Sequence, residues 1–587
     1  MNYIKYDDFI YNCGIITCNK NIDQIKTDIK ALSLPKDEDE IAKYLKWDFE
    51  LLLCCEIAIE HREKDQGYLF PMLVYTNGTK IPDIESFEPE RIDFYKHRLS
   101  KVNNIAVKIR YLNYLFEYDK KENRFLHAKE LCKNLILSIE SRDNIHSCII
   151  NLSRLFEISL SFKIKESVDE LDRITIDIFE KQYEHEDDLW ILSISRIIFN
   201  NVKKNTGLIS ETAVSLILSK IEQLSSYYYD EIHDYSQFRC FCINQIDWYR
   251  FLDRKQDEAK TLIKYGISFE RQAEGDGITF LTKAYLYESA VQHFINIGKN
   301  ELVHNLKVKI KESYKLAKEN GEYKTISTTQ SIAKEELEKY IAPFIGATAS
   351  ESLNKLSHAR DFIPHKADIE IESEKDANNP IYRIVGLSNI YGNRKVFDAK
   401  SLEDIKRKLL CQRYNITLEI MFTTLMSHIW ERMIGMGLTP EMVTDRICST
   451  EYMEEDNKEL IKTAIDRFFN DDYVSALHIL VPQFENYFRT FFEWGGYATT
   501  SIRAATTQQE QTFNDFLHQP FVKDTIEPDL LFMIEFIMVD QLGYNLRNNI
   551  AHGLLELSAF RKSTCLMVIY LFFIVTCIKC NRKIMER

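Results

Sequence analysis

Near the end of the chain, Arg547-Asn548-x-x-x-His552-Gly553 sets a guanidinium, an amide and an imidazole within one short segment. On an α-helix Asn548 and His552 are i and i+4 and share one face. Arg547 stands about 140° from His552 around the axis at the usual helical rotation, yet its long fork reaches toward the same cleft. Gly553 is expected to leave room beside His552 for another backbone or a ligand. These groups suit a phosphodiester, because one can hold phosphate charge and another can move protons near neutral pH. Arginine-to-histidine spacing alone decides little, since it recurs at Arg91…His97 and Arg360…His365. What distinguishes 547–552 is the added asparagine, the Ala-His-Gly ending, and a place at the start of the penultimate helix of an apolar bundle.

The elements that must position these groups read as helices. Apolar spacing of the helical kind predicts helices at 402–434, 457–470, 472–494, 508–518, 527–542, 546–557 and 562–579. Short turns between them imply a bundle, with 495–507 as its one loose loop. Residues 403–587 are read as one helical domain. Residues 346–402 break the pattern and are expected to link domains. Their signals are Ile363-Pro364, the acidic run Asp368–Asp376 and Asn378-Asn379-Pro380, with short strands at Ile381–Val385 and Lys395–Phe397. Residues 1–345 read as helix after helix, including Arg98–Asp119 and Arg124–Ser141. Two helical hairpins turn at Asp253-Arg254-Lys255-Gln256 and at Gly298-Lys299-Asn300, about 44 residues apart, close to the period of α-solenoid units. A TPR- or HEAT-like stack from about residue 235 and an irregular bundle both fit. The fold class is all-α.

Composition agrees. A chain of 587 residues exceeds one core, and 18 Gly and 11 Pro are too few for a β-rich protein with many tight turns. The formal charge of −14 argues against a general nucleic-acid coat. From Gln541 onward, however, seven basic residues face two acids, so a local anion site is permitted there. The first residues lack a basic start and a long apolar core, and the most apolar stretch, Cys565–Ile578, is shorter than the ~20 residues that span a bilayer. The 13 cysteines sit mostly in apolar helical patterns, which suits reduced thiols. A cytoplasmic protein without a membrane partner is expected. With neither GxxxxGK nor GxGxxG, no cofactor is expected. Cys577-x-x-Cys580 has zinc spacing but no second pair, so no metal is expected either.

The segment Asn545-Leu546-Arg547-Asn548-Asn549-Ile550-Ala551-His552-Gly553 resembles the hallmark of HEPN domains, especially a large family of unknown function marked by Arg-Asn-x-x-x-His-Gly. Ala476-Leu477-His478-Ile479-Leu480-Val481-Pro482-Gln483-Phe484-Glu485-Asn486-Tyr487-Phe488-Arg489 is similar to that family's second core helix. Phe70-Pro71, Arg98-Leu99 and Lys108-Ile109-Arg110 more faintly resemble the helical region that such proteins carry ahead of the domain. The resemblance implies a homodimer through the C-terminal domain, with the two motifs facing each other, and metal-independent cleavage of RNA. On that model His552 handles protons, Arg547 steadies phosphorane charge and Asn548 orients one of them. Glu485 is the candidate acid that fixes the His552 tautomer or pairs with Arg547. The N-terminal region would then be a sensor with its own trigger or protein partner, and the role antiviral or toxin–antitoxin-like defence. The alternative is a non-catalytic helical protein that dimerises and recruits a partner, with Arg547 in a structural ion pair and Glu485–Arg489 a helix-stabilising pair. His478, among apolar neighbours, reads as a core histidine.

Overall fold

A computed structural model describes residues 3–17, 20–32, 39–56, 67–120, 124–141, 145–181, 188–323, 332–382, 387–504 and 507–578. The protein is all-α, with short two-stranded antiparallel sheets as its only strands among the described residues. It divides into two compact units, Met1–Ile278 with Leu286–Leu306 and Thr279–Tyr285 with Lys307–Arg587.

In the first unit, Ile105–Tyr118, Arg124–Ser141 and Ile145–Ser161 pack in succession around Leu112, Leu131, Leu135, Leu152 and Phe156. The helix expected from Arg98 begins only at Ile105, because Asn104 caps it by accepting the Val107 N–H at 3.0 Å. The expected turns appear between Tyr235–Phe251 and Lys255–Ala273, and between Phe280–Asn296 and Val303–Glu319. Asp48 is fully buried near the N-terminus, where Tyr6 and Tyr111 donate to it at 2.7 and 2.8 Å. Burial raises its carboxyl above the usual range, against the pull of Arg98 and the two hydroxyls.

The second unit carries the site. Its core joins Leu353, Leu356 and Phe362 to Tyr414, Trp430, Phe484, Phe536 and Phe572. The described residues of 346–402, expected as a linker, therefore contribute to that core. They form the helices Ala349–His358 and Lys366–Ala377, then a hairpin of Ser388–Tyr391 and Arg394–Asp398. The acidic run expected as loop is helical because its charges lie on a solvated face, and only Ser373 and Ala377 of that helix are buried. Of the expected strand at Ile381–Val385, residues 381–382 are helical and 383–386 lie outside the described residues. The expected strand at Lys395–Phe397 lies within Arg394–Asp398.

Two long helices form the centre. Tyr473–Trp494 packs Phe484 and Tyr487 against Phe572 of Lys562–Thr576, with ring centroids 5.3 and 5.5 Å apart. Every residue from Ser563 to Val575 is buried, which accounts for the most apolar run as a core helix. Among the described residues no helix is long and apolar enough to cross a membrane. The expected loose loop instead holds strands Thr500–Ala504 and Thr507–Glu510.

Candidate functional site

The Arg-Asn-x-x-x-His segment folds as a six-residue helix, Leu546–Ala551. Two side chains root it: Leu546 is fully buried, and the buried Asn549 donates to the Tyr544 carbonyl at 3.2 Å. The outward positions are left to Arg547, Asn548 and, just past the last turn, His552. Asn545 starts the helix with φ 49°, a left-handed conformation that asparagine tolerates better than most residues.

The helix stops six residues before its expected end at 557. The Gly553 N–H reaches the Ile550 carbonyl at 3.1 Å and the Leu554 N–H reaches that of Asn549 at 2.7 Å, the paired bonds of a Schellman ending. Gly553 has φ 63° and open space where a Cβ would lie. Its role is therefore to reverse the backbone and end the helix, not to make room beside His552 as expected. His552 is the residue that caps this end, and its side chain is exposed.

The loop ahead of the helix is equally constrained. Tyr544 donates its N–H to the Phe536 carbonyl at 2.9 Å and its hydroxyl to Glu419 at 2.6 Å. Burial first, then Glu419, pushes that hydroxyl well above the usual tyrosine range, so it stays a donor.

The expected groups separate into two sets. Glu485 Oε2 accepts from Arg547 Nε at 2.9 Å, and Glu485 Oε1 accepts from Arg489 Nη2 at 2.7 Å. Of the two partners expected for Glu485, the structure gives it Arg547 and not His552, and the Glu485–Arg489 helix pair forms as well. Arg547 Nη1 donates to Asn548 Oδ1 at 3.3 Å, while Asn548 Nδ2 donates to Asn545 Oδ1 at 2.7 Å. The amide is thereby held from both sides. The His552 imidazole makes no side-chain hydrogen bond among the described residues.

Asn548 and His552 open onto a cavity of about 410 Å³, which Arg547 does not line. Its other walls are Asn545, Asn549, Gln541 and Leu554, with Arg394, Lys395 and Val396 from the hairpin. No carboxylate lines it among the described residues, in a chain of net charge −14. A volume of this order holds a small ligand, and guanidinium, ammonium and amide donors select for an anion.

No family model, curated protein or solved structure matches this chain.

Arg394 and Lys395 were not singled out from sequence as site residues. A signal was present: Tyr391-Gly392-Asn393-Arg394 is a two-residue turn between paired strands, with Gly392 at φ 60°. The other two Arg…His spacings are tied up with acids. Arg91 pairs with Glu50 and His97 with Asp7, both at 2.6 Å. Arg360 pairs with Glu527, and His365 with Asp529 at 3.0 Å. His478 is not a core histidine. It is exposed, stacked on Phe560 with centroids 5.3 Å apart, and it meets the Val474 carbonyl at 2.8 Å. Cys580 and the basic residues Lys579, Arg582, Lys583 and Arg587 lie outside the described residues.

Glu485 offers a first test. Arg489 is 6% exposed, and its Nη1 already lacks a hydrogen-bond partner. Glu485→Ala is expected to leave this buried charge without its main counterion and to cost about 3 kcal/mol in urea unfolding. Glu485→Gln, which keeps an acceptor, is expected to cost less than half of that. Equal stability of Glu485→Ala and the parent would contradict the arrangement.

Proposed function

We propose that the second unit is a ribonuclease of the HEPN kind that cleaves without a metal ion, with His552 as its acid–base residue. The observation that carries this reading is an exposed imidazole beside a fixed amide, on a cavity with cationic walls and, among the described residues, no carboxylate. In this reading a ribose 2′-hydroxyl attacks the adjacent phosphorus and the P–O5′ bond breaks, leaving a 2′,3′-cyclic phosphate and a 5′-hydroxyl. One proton leaves the 2′-oxygen and one arrives at the 5′-oxygen. His552 handles one transfer, and the His552 of a second copy handles the other in the homodimer that the motif resemblance implies. Asn548 donates toward the phosphorane. Arg547 acts as a positioning residue that holds Asn548, since its guanidinium is committed to Glu485. The requirement for a 2′-hydroxyl confines the activity to RNA. The N-terminal unit then serves as the sensor that gates a toxic activity in defence.

The test is purified full-length protein incubated with labelled RNA in excess EDTA. Cleavage that disappears in His552→Ala, with folding intact, supports the reading, and cleavage at the parent rate in that variant ends it.

One observation favours a second reading. The Arg547–Glu485–Arg489 network is what a purely structural helix closure would contain, and the unit would then only dimerise and recruit a partner. That reading expects His552→Ala to retain both self-association and the cellular phenotype. Loss of the phenotype in the folded variant removes it.

A further inference from the structure

We infer that the hairpin Ser388–Asp398 is the phosphate-gripping arm of the cavity, with Arg394 and Lys395 binding backbone phosphates of single-stranded RNA. The inference rests on the ribonuclease reading and assigns the phosphate charge to residues other than Arg547.

Three observations carry it. First, Arg394 and Lys395 line the same cavity as Asn548 and His552 and are its only permanently charged walls among the described residues. Arg394 makes no ion pair among the described residues. Lys395 is 3.9 Å from Asp398, which is itself 42% exposed and does not line the cavity. Second, Arg547, the expected phosphate ligand, is absent from the cavity wall and held at 2.9 Å by Glu485. A phosphate at His552 therefore meets the hairpin cations without any ion pair being broken at Arg547. Third, the arm is anchored to the site's own surroundings. Lys408 donates to Asn389 at 2.9 Å, and the Tyr391 hydroxyl accepts from the Glu556 N–H at 3.4 Å, four residues beyond His552. A short hairpin tied down through its first strand, Ser388–Tyr391, holds the two adjacent cations of its second strand on the cavity that the imidazole lines. That arrangement suits a flexible strand whose phosphates must be placed before a 2′-hydroxyl can attack. The amides around it, Asn545, Asn549 and Gln541, offer donors and acceptors to a base or ribose without adding charge.

The experiment is fluorescence anisotropy of full-length protein with a labelled 12-nucleotide 2′-O-methyl RNA, which cannot undergo 2′-hydroxyl attack, across a range of salt. Arg394→Ala/Lys395→Ala is expected to weaken binding about tenfold near 0.1 M salt. It should also flatten the slope of log affinity against log salt by about 1.4, the value for two single-strand phosphate contacts. Unchanged affinity and slope in the double variant overturn the inference. The charge-keeping pair Arg394→Lys/Lys395→Arg is expected to retain binding; equal loss in both pairs would show that hairpin shape rather than charge matters, and would also overturn it. If 5′-AMP binds as tightly as the 12-mer, a free nucleotide is the ligand and the strand assignment falls. If the charge dependence appears but the parent leaves unmodified RNA intact in EDTA, the anion site stands and the ribonuclease reading does not.

Discussion

Gly543→Ala is expected to destabilise the second unit by about 3 kcal/mol or more and to abolish cleavage. An added Cβ would lie 2.0 Å from the Phe536 carbonyl oxygen and 2.8 Å from its carbon. Both are backbone atoms, so no rotamer change relieves the clash. The same oxygen accepts the Tyr544 N–H at 2.9 Å, the bond that turns the chain from Pro528–Met538 toward the site helix. Moving the loop aside breaks that bond and shifts Asn545, which holds Asn548 at 2.7 Å. Overpacking alone costs about 1–3 kcal/mol, and a lost buried hydrogen bond adds about 1 kcal/mol. Gly435→Ala is the control: this helical glycine has open space around it, so the variant should be as stable as the parent or up to ~1 kcal/mol better. Urea unfolding of both variants checks the pair, and equal stability of Gly543→Ala and Gly435→Ala would refute the packing argument.

His552→Ala carries the second large expectation, a fall in cleavage rate of about 10²–10⁴-fold with no change in thermal midpoint. The two halves of that statement have separate causes. The imidazole is exposed and without a side-chain hydrogen bond among the described residues, so its removal leaves no partner unsatisfied. Its helix is terminated by backbone bonds of Gly553 and Leu554, which alanine at 552 leaves in place. The rate effect follows only if the imidazole moves a proton. Arg547→Ala is expected to differ in kind. It frees one oxygen of a partly buried carboxylate and loosens Asn548, so it lowers both stability and rate, the rate by about tenfold. Single-turnover cleavage and calorimetry on the same preparations separate the two. A drop in midpoint for His552→Ala comparable to that of Arg547→Ala would show a structural histidine.

Much of the helical framework was legible in the apolar spacing, and so were two features of the site. The long helix bearing Glu485 was placed within a residue of its observed ends, Tyr473–Trp494, because its apolar stripe is uninterrupted. Glu485 is expected to meet His552 or Arg547, and it meets Arg547. What stayed hidden depended on tertiary contact or on backbone sign. The Arg547 fork is expected to reach the cleft of His552, whereas Glu485 draws the guanidinium away; the helix itself stops short of 557 because Gly553 takes φ 63°. Arg394 and Lys395 stand more than 140 residues before His552 in a stretch whose acidic run and prolines resemble linker. Only packing shows that Leu353, Leu356, Phe362 and Ile363 from that stretch are core. A run of charges says which face meets water, not whether the other face is buried.

The central claim is that the imidazole of His552, in a cavity walled by cations and amides, breaks a ribose–phosphate linkage by way of the neighbouring 2′-hydroxyl. Its most direct test is an oligonucleotide cut at one mapped position, compared with the same strand carrying 2′-deoxyribose at that nucleotide alone, both with full-length protein in EDTA. The account predicts cleavage of the first, with a 2′,3′-cyclic phosphate on the upstream product, and none of the second. Cleavage of both strands at equal rates, or an upstream product ending in a free 3′-hydroxyl, would contradict it.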